Sequence, residues 1–231
     1  MGRVTATRPD LWHHYGRSRA DTDRDIPASF CWLWGQDTGP GPEVLGPVSG
    51  AYVADLGAGA ARHAAHLAVR HPVARIDAVD ASPGQTAMAL DLFGQVPRLQ
   101  IVGADVVAHL HAAHASYDVL YSVFGAVDFT DPRELLPTAR GALSPGGRLV
   151  FSTLAHFLSG HVAEASVAPR QIAAKTQDGE AAWMPRWVLQ ELVWVKLLDE
   201  AGFSDISIET WPAGKGPRAA ATLLVSARRP A

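Results

Sequence analysis

The chain is short of cysteine, of basic excess and of long apolar runs, and each shortage removes a class of function. Its 231 residues hold one cysteine, Cys31, which excludes an intramolecular disulfide and a cysteine-built zinc site. Twenty Lys and Arg stand against 23 Asp and Glu, a formal net charge of −3. Non-specific nucleic-acid binding needs a dense basic face, so no nucleic-acid partner is expected. No apolar run approaches the length of a membrane span. The opening MGRVTATRPDLWHHYG has no apolar signal region. A soluble, cytoplasmic protein with no membrane partner is the expectation. The Gly-Lys-Ser/Thr of a P-loop is missing, and no internal repeat is found. The seven tryptophans lie at 12, 32, 34, 183, 187, 194 and 211, so none falls between 35 and 182.

What is present is organised around 51–67, AYVADLGAGAARHAAHL. A short apolar run, Tyr52-Val53-Ala54, reaches an acid, Asp55. Gly57 and Gly59 then make a tight turn, and 60–67 reads as helix. Glycine tolerates positive φ and admits close approach. The helix N-terminus beyond it offers free N–H groups and partial positive charge. The dinucleotide fingerprint G-x-G-x-x-G is incomplete, because Gly57-Ala58-Gly59-Ala60-Ala61 runs into Arg62. An acid two residues before the first glycine repels a pyrophosphate and suits a cationic ligand. The string D-L-G-A-G-A-A-R-H resembles motif I of the class I S-adenosylmethionine-dependent methyltransferases, D/E-x-G-x-G-x-G, with Ala61 in place of the third glycine.

The downstream order supports that resemblance. A second strand over 74–79 ends at Asp80, 25 positions after Asp55. A carboxylate there can accept from both hydroxyls of a ribose, and Asp80 matches motif II. Ser82-Pro83 opens the next helix, 85–94. A third strand, 98–102, leads to Asp105, which also suits a helix N-cap. The resemblance implies that Asp105 takes the adenine amine and Val106 supplies a backbone N–H. It implies S-adenosyl-L-methionine as cofactor, bound by Asp55, Gly57, Ala58, Gly59, Asp80, Ala81, Gln85, Asp105, Val106 and Ser122, with Tyr15 from the N-terminal segment. The fourth strand, 117–124, lacks the Pro-Pro-aromatic element of base-methylating enzymes and the Pro-Cys of cytosine-C5 enzymes. The segment ELLPTARGALSPGGRLVFS looks like the family's helix–PGG–strand unit, a turn at 144–147 followed by strand five over 148–153.

Around this core, 9–20 could hold a short helix, and 26–34 is unusually aromatic. These N-terminal aromatics suit either a lid or packing on the outside of the core. Residues 156–186 break the alternation and are too long for an ordinary connection. An amphipathic helix is expected over 187–201, ending at Gly202, then strands 203–210 and 220–227, paired antiparallel across a Gly/Pro loop, 211–218. The expected architecture is α/β: one domain, 1–231, with a seven-stranded, mostly parallel sheet, a C-terminal antiparallel hairpin and helices on both faces. It divides into a cap segment 1–49, a cofactor core 50–155, an insertion 156–186 lining the acceptor pocket, and a terminal unit 187–231.

The expected activity is methyl transfer to a small, partly apolar molecule of the kind met in secondary metabolism, with Trp32, Trp34, Phe124, His161, Trp183 and Trp187 as acceptor-site candidates. Histidine suits a general base near neutral pH, and His156, at the end of strand five, is the candidate; His161, His13 and His14 compete with it. His109, His111 and His114 have metal-like spacing but no paired acid, so they read as a solvated face and no metal is expected. A NAD-dependent oxidoreductase and a non-catalytic cofactor- or partner-binding domain are the alternatives. The pattern leaves a homodimer open.

Overall fold

The computed structural model describes residues 9–35, 38–215 and 219–231. Residues 1–8 and 36–37 of the expected cap and 216–218 of the expected loop lie outside them. A short helix, α1 (Arg17–Thr22), and a single 3-10 turn (Pro42–Leu45) precede the core. Strands and helices then alternate: β1 (Tyr52–Leu56), α2 (Arg62–Arg70), β2 (Arg75–Asp80), α3 (Pro83–Phe93), β3 (Leu99–Gly103), α4 (Val106–Ala112) and β4 (Tyr117–Val123). Two helices, α5 (Ala126–Phe129) and α6 (Pro132–Ala142), lead to β5 (Leu143–Leu154). A hairpin of β6 (Arg170–Lys175) and β7 (Ala181–Arg186) follows, then α7 (Glu191–Glu200), β8 (Ser204–Trp211) and β9 (Thr222–Arg228).

The main sheet runs β3-β2-β1-β4-β5-β9-β8. β9 is antiparallel to both neighbours, and the other pairings are parallel. The central strands are apolar almost throughout because both faces are covered. Leu67, Ala89 and Phe93 of α2 and α3 pack one face; Leu110, Leu135 and Trp194 of α4, α6 and α7 pack the other. This is the expected seven-stranded sheet with its terminal antiparallel pair. Strand order reverses between β1 and β4, the switch point beyond whose carboxyl ends open α/β sheets bind their ligands.

Several local expectations are corrected. Residues 11–16 are turns, and the N-terminal helix is only α1. The 144–147 turn lies inside β5 as a bulge: Tyr117 pairs with Leu143 and Val119 with Arg148, so β5 spends five residues where β4 spends two. Helix α7 starts at Glu191, four residues late, because the preceding segment is extended. There Trp187 N–H donates to the Asp128 carbonyl, Glu164 N–H to Val188, and Gln190 N–H back to Glu164. The insertion contains an antiparallel hairpin. Its Asp178-Gly179 turn, with Gly179 at φ +83°, is a hairpin signal that periodicity reading passed over.

Candidate functional site

Asp55, Asp80 and Asp105 stand at or just beyond the carboxyl ends of β1, β2 and β3, the same edge of the sheet. Asp55 is 2% exposed and accepts the Tyr121 hydroxyl at 2.9 Å. Burial pushes its pKa up to about 7, against the Tyr121 hydrogen bond, and the nearby Asp80 charge adds to the rise. Asp80 accepts the Gly59 and Ser82 amides, each at 2.8 Å. Burial raises its pKa too, opposed by those amides and assisted by Asp10. Each Asp80 oxygen keeps a lone pair for a further donor. Asp105 caps α4 through Ala108 N–H at 3.0 Å, using one oxygen of an exposed carboxylate.

The glycine turn has two distinct reasons. Gly57 sits at φ +78°, and a Cβ there would lie 2.2 Å from Ala126 N. The close approach at Gly57 is therefore the protein's own 125–126 backbone crossing the switch point, not a ligand's. Gly59, at φ +54°, has only the Gln85 Oε1 near its missing Cβ, at 3.3 Å, and its neighbour Ala58 is half-buried. Ala61, standing in for the third glycine, is left-handed at φ 58° and fully buried. The position still demands a glycine-like backbone, and alanine carries the strain.

A segment no motif pointed to closes this edge. Asp10, nearly buried, accepts the Ser82 hydroxyl at 2.7 Å, Gly84 N–H at 2.9 Å and Trp12 N–H at 3.1 Å. The Gln85 amide donates to the Trp12 and Tyr15 carbonyls at 2.8 and 2.9 Å, so this predicted cofactor residue is a clasp. Tyr15 itself is 62% exposed and packs edge-on to Trp12. His14 donates to the Gln177 carbonyl at the hairpin tip, 3.0 Å away. This contact joins the N-terminal segment to the insertion. Ala81 is exposed beside Asp80, and Val106 opens α4 buried.

The acceptor side departs further from expectation. Ser122 is fully buried, with its hydroxyl donated to the Leu56 carbonyl at 2.8 Å; it braces β4 on β1 and presents nothing to a ligand. Trp32 is core: fully buried, donating to the Gly41 carbonyl, packed on Phe30 and Tyr121. Trp187 is also buried in the core, and Trp183 is 67% exposed on β7. His161 is exposed and bonded to Ser159. His156 is engaged at both ring nitrogens, Nδ1 donating to the Phe157 carbonyl at 3.1 Å and Nε2 accepting from Ala221 N–H at 3.3 Å. A base needs a free lone pair, and this ring has spent it joining β5 to β9. His109 donates or accepts at the Tyr117 hydroxyl, 2.8 Å away, so it is packed rather than solvated. Among the described residues no group of three His, Cys, Asp or Glu could hold a metal ion.

What the structure gathers beyond β4 is Trp34, Phe124, Asp128, Phe129 and Arg186. Trp34 packs edge-on to Phe124, whose backbone is left-handed at φ 49°. Arg186 lies over the Trp34 and Phe129 rings and pairs with Asp128. Burial raises Asp128, with Arg186 pulling it back down. Asp10, Asp128 and Arg186 were not legible as site residues, although a lone arginine in the run MPRWVL was a signal of buried charge.

The strand order, the glycine turn and the strand-end acids match the class I methyltransferase fold. The family described as "Methyltransferase domain" matches residues 53–147. Among curated proteins, the malonyl-[acyl-carrier protein] O-methyltransferase of Hahella chejuensis is 36% identical over 102 residues, 44% of this chain and 36% of that protein. The trans-aconitate 2-methyltransferase of Paracidovorax citrulli is 32% identical over 126 residues, 53% and 47% of the two chains. The chain thus spans less than half the length of either. An S-adenosylmethionine-dependent methyltransferase structure from Mesorhizobium loti superposes with a TM-score of 0.58 at 25% identity, covering 80% of this chain and 94% of that one. Residues 53–147 resemble methyltransferase domains, and the seven-stranded sheet with its terminal antiparallel pair is the class I methyltransferase fold.

Proposed function

We propose that this protein transfers a methyl group from S-adenosylmethionine to a carboxylate oxygen of a small molecule. The observation that carries the cofactor half is the pair of strand-end carboxylates, Asp55 buried and Asp80 partly buried. Asp80 keeps lone pairs for a ribose diol between two fixed amides, and Asp55 is a buried acid with a raised pKa that a cationic ligand would ionise. Those groups fit the cofactor. Asp105 and the Val106 N–H stand where the adenine edge would lie, and the Gly59 turn lines the approach. When bound, the cofactor supplies a methyl group on a positively charged sulfur. The protein's share is to bind, orient and exclude water. The clasp of Asp10 and Gln85 and the ring cluster of Trp34, Phe124 and Phe129 suit that role.

The acceptor half rests on the missing base. His156 has no free nitrogen, so the favoured nucleophile is one already ionised at neutral pH, which a carboxylate is. The names of both curated relatives, a malonyl-[acyl-carrier protein] O-methyltransferase and a trans-aconitate 2-methyltransferase, are consistent with acidic acceptors, and the second names a free small molecule. We read 1–49 and 156–186 as one cap over the 50–155 core of a single domain. The partly buried, unpaired Cys31 suits a reducing compartment, and we assign the protein to the cytoplasm. No helix among the described residues is long and apolar enough to cross a membrane.

Methyl esters are cleaved by alkali and N- or C-methyl groups are not. Incubation with methyl-labelled cofactor and a pool of small organic acids should give label that alkali releases as volatile methanol. Alkali-stable label, or label confined to tRNA or protein, would overturn the acceptor class.

A further inference from the structure

The geometry points to Arg186 as a specificity-determining residue that anchors a second, unmethylated carboxylate of the acceptor. This rests on the function proposed above and goes past it, because it assigns the acceptor two acidic groups with separate jobs. Arg186 ends β7 at 5% exposure, and Asp128, in α5 just past β4, is fully buried. Nε and Nη2 both donate to the same Asp128 oxygen, Oδ2, at 3.1 and 2.5 Å. This is not the two-oxygen fork in which a guanidinium usually meets a carboxylate. Asp128 Oδ1 is left with no hydrogen bond of normal geometry, although Thr153 faces that carboxylate. Two of five guanidinium N–H groups are spent. Nη1 has no partner among the described residues, so the Nη1–Nη2 edge is unused.

That free donor edge is available to an incoming carboxylate, which it can meet as a two-oxygen fork. Here the guanidinium carbon lies 5.5 Å from the Trp34 ring centroid and 5.2 Å from that of Phe129. The rings fix the guanidinium plane at little entropic cost to a ligand. The cluster stands beyond the carboxyl end of β4, beside left-handed Phe124, where the acceptor must come. A carboxylate held by both nitrogens of that edge has its lone pairs tied up and is a poor nucleophile. The group methylated is therefore another one on the same molecule, and Arg186 sets which end faces the sulfur.

The test uses the full chain and calorimetry in two stages. Binding of S-adenosylhomocysteine is measured first, and its absence would overturn the parent function and this assignment with it. Protein saturated with that ligand is then titrated with trans-aconitate, malonate and acetate, and with trimethyl trans-aconitate as a neutral control. The polycarboxylates should bind, with acetate weaker and the triester absent. Arg186→Gln should weaken the tightest of them by about tenfold or more while S-adenosylhomocysteine affinity holds. Arg186→Gln combined with Asp128→Asn removes both charges, guards against a folding failure of the single variant, and should show the same loss. Asp128→Asn alone removes the competing anion and should tighten polycarboxylate binding severalfold. A merely structural ion pair would not move the two single variants in opposite directions. Equal affinity in wild type and Arg186→Gln, triester binding as tight as the acid, or no polycarboxylate binding by protein that holds S-adenosylhomocysteine would each overturn the assignment.

Discussion

At the scale of single residues, the site trades stability for binding. Asp55 titrates near pH 7 in the folded chain, above its ordinary value of 3.8. Between those two values the folded state holds more protons than the unfolded one. The protonated Asp55 contributes stability in full below about pH 4, and that contribution is lost as pH rises through about 7. Asp55→Asn mimics the protonated form. It should be more stable than wild type at pH 8, by roughly 1–4 kcal/mol, and about equal at pH 4, as read by urea denaturation. The same variant should bind S-adenosylmethionine poorly. In wild type, cofactor affinity should rise with pH towards 7 and level above it. A flat profile would mean that Asp55 is not the group a cation ionises. Ala61 offers a separate check. Ala61→Gly relieves a left-handed alanine, worth roughly 1–2 kcal/mol. It loses about 0.8 kcal/mol of methyl burial and 0.4–1 kcal/mol to unfolded-chain entropy. Stability should change by less than about 1 kcal/mol, whereas Ala61→Val should lose several kcal/mol.

The candidate cofactor residues could be placed from the sequence because each stands at a fixed offset from a strand end. Asp55, Gly59, Asp80 and Asp105 are positioned by backbone geometry, so spacing locates them. The candidate acceptor residues could not. Trp32 and Trp34 are two apart, yet Trp32 is sealed in the core and Trp34 faces Phe124. Composition cannot tell those two environments apart. His156 was legible in position but not in state, since Ala221, 65 residues away, occupies its Nε2.

At the scale of elements, the N-terminal segment is fastened to the start of α3 by two side chains, Asp10 and Gln85. Gly84 has no Cβ because one would lie 2.9 Å from Asp10 Oδ2, so the start of α3 is shaped to receive that acid. Asp10→Ala removes three acceptor contacts and should free residues 10–15, raising their hydrogen exchange and speeding S-adenosylhomocysteine release by roughly three- to tenfold. Gly84→Ala should do the same from the other partner. Unchanged exchange in both would show that Gln85 alone holds the segment. The helices were legible to within a few residues from apolar periodicity. The exception is α7, whose first four expected residues are drawn into an extended stitch by Asp128 and Glu164. Those partners lie 59 and 24 to 26 residues away in sequence (187 − 128; 188 − 164 and 190 − 164), and such pairings leave no local trace.

At the scale of the whole molecule, five parallel strands place Asp55, Asp80 and Asp105 on one edge, and the antiparallel β9 closes the other side of β5. The alternation of strand and helix made that architecture legible. The N-terminal segment meets the β6–β7 hairpin through the His14 side chain, whose Nε2 lies 3.0 Å from the Gln177 carbonyl, a pairing 163 residues apart that leaves no local trace. The central claim is that the strand-end carboxylates bind an S-adenosyl cofactor. Calorimetry of wild type and Asp80→Ala with S-adenosylhomocysteine and with NAD tests it directly. The account predicts micromolar S-adenosylhomocysteine binding, no NAD binding, and at least a roughly tenfold loss in Asp80→Ala. NAD binding without S-adenosylhomocysteine binding, or an Asp80→Ala affinity equal to wild type, would contradict it.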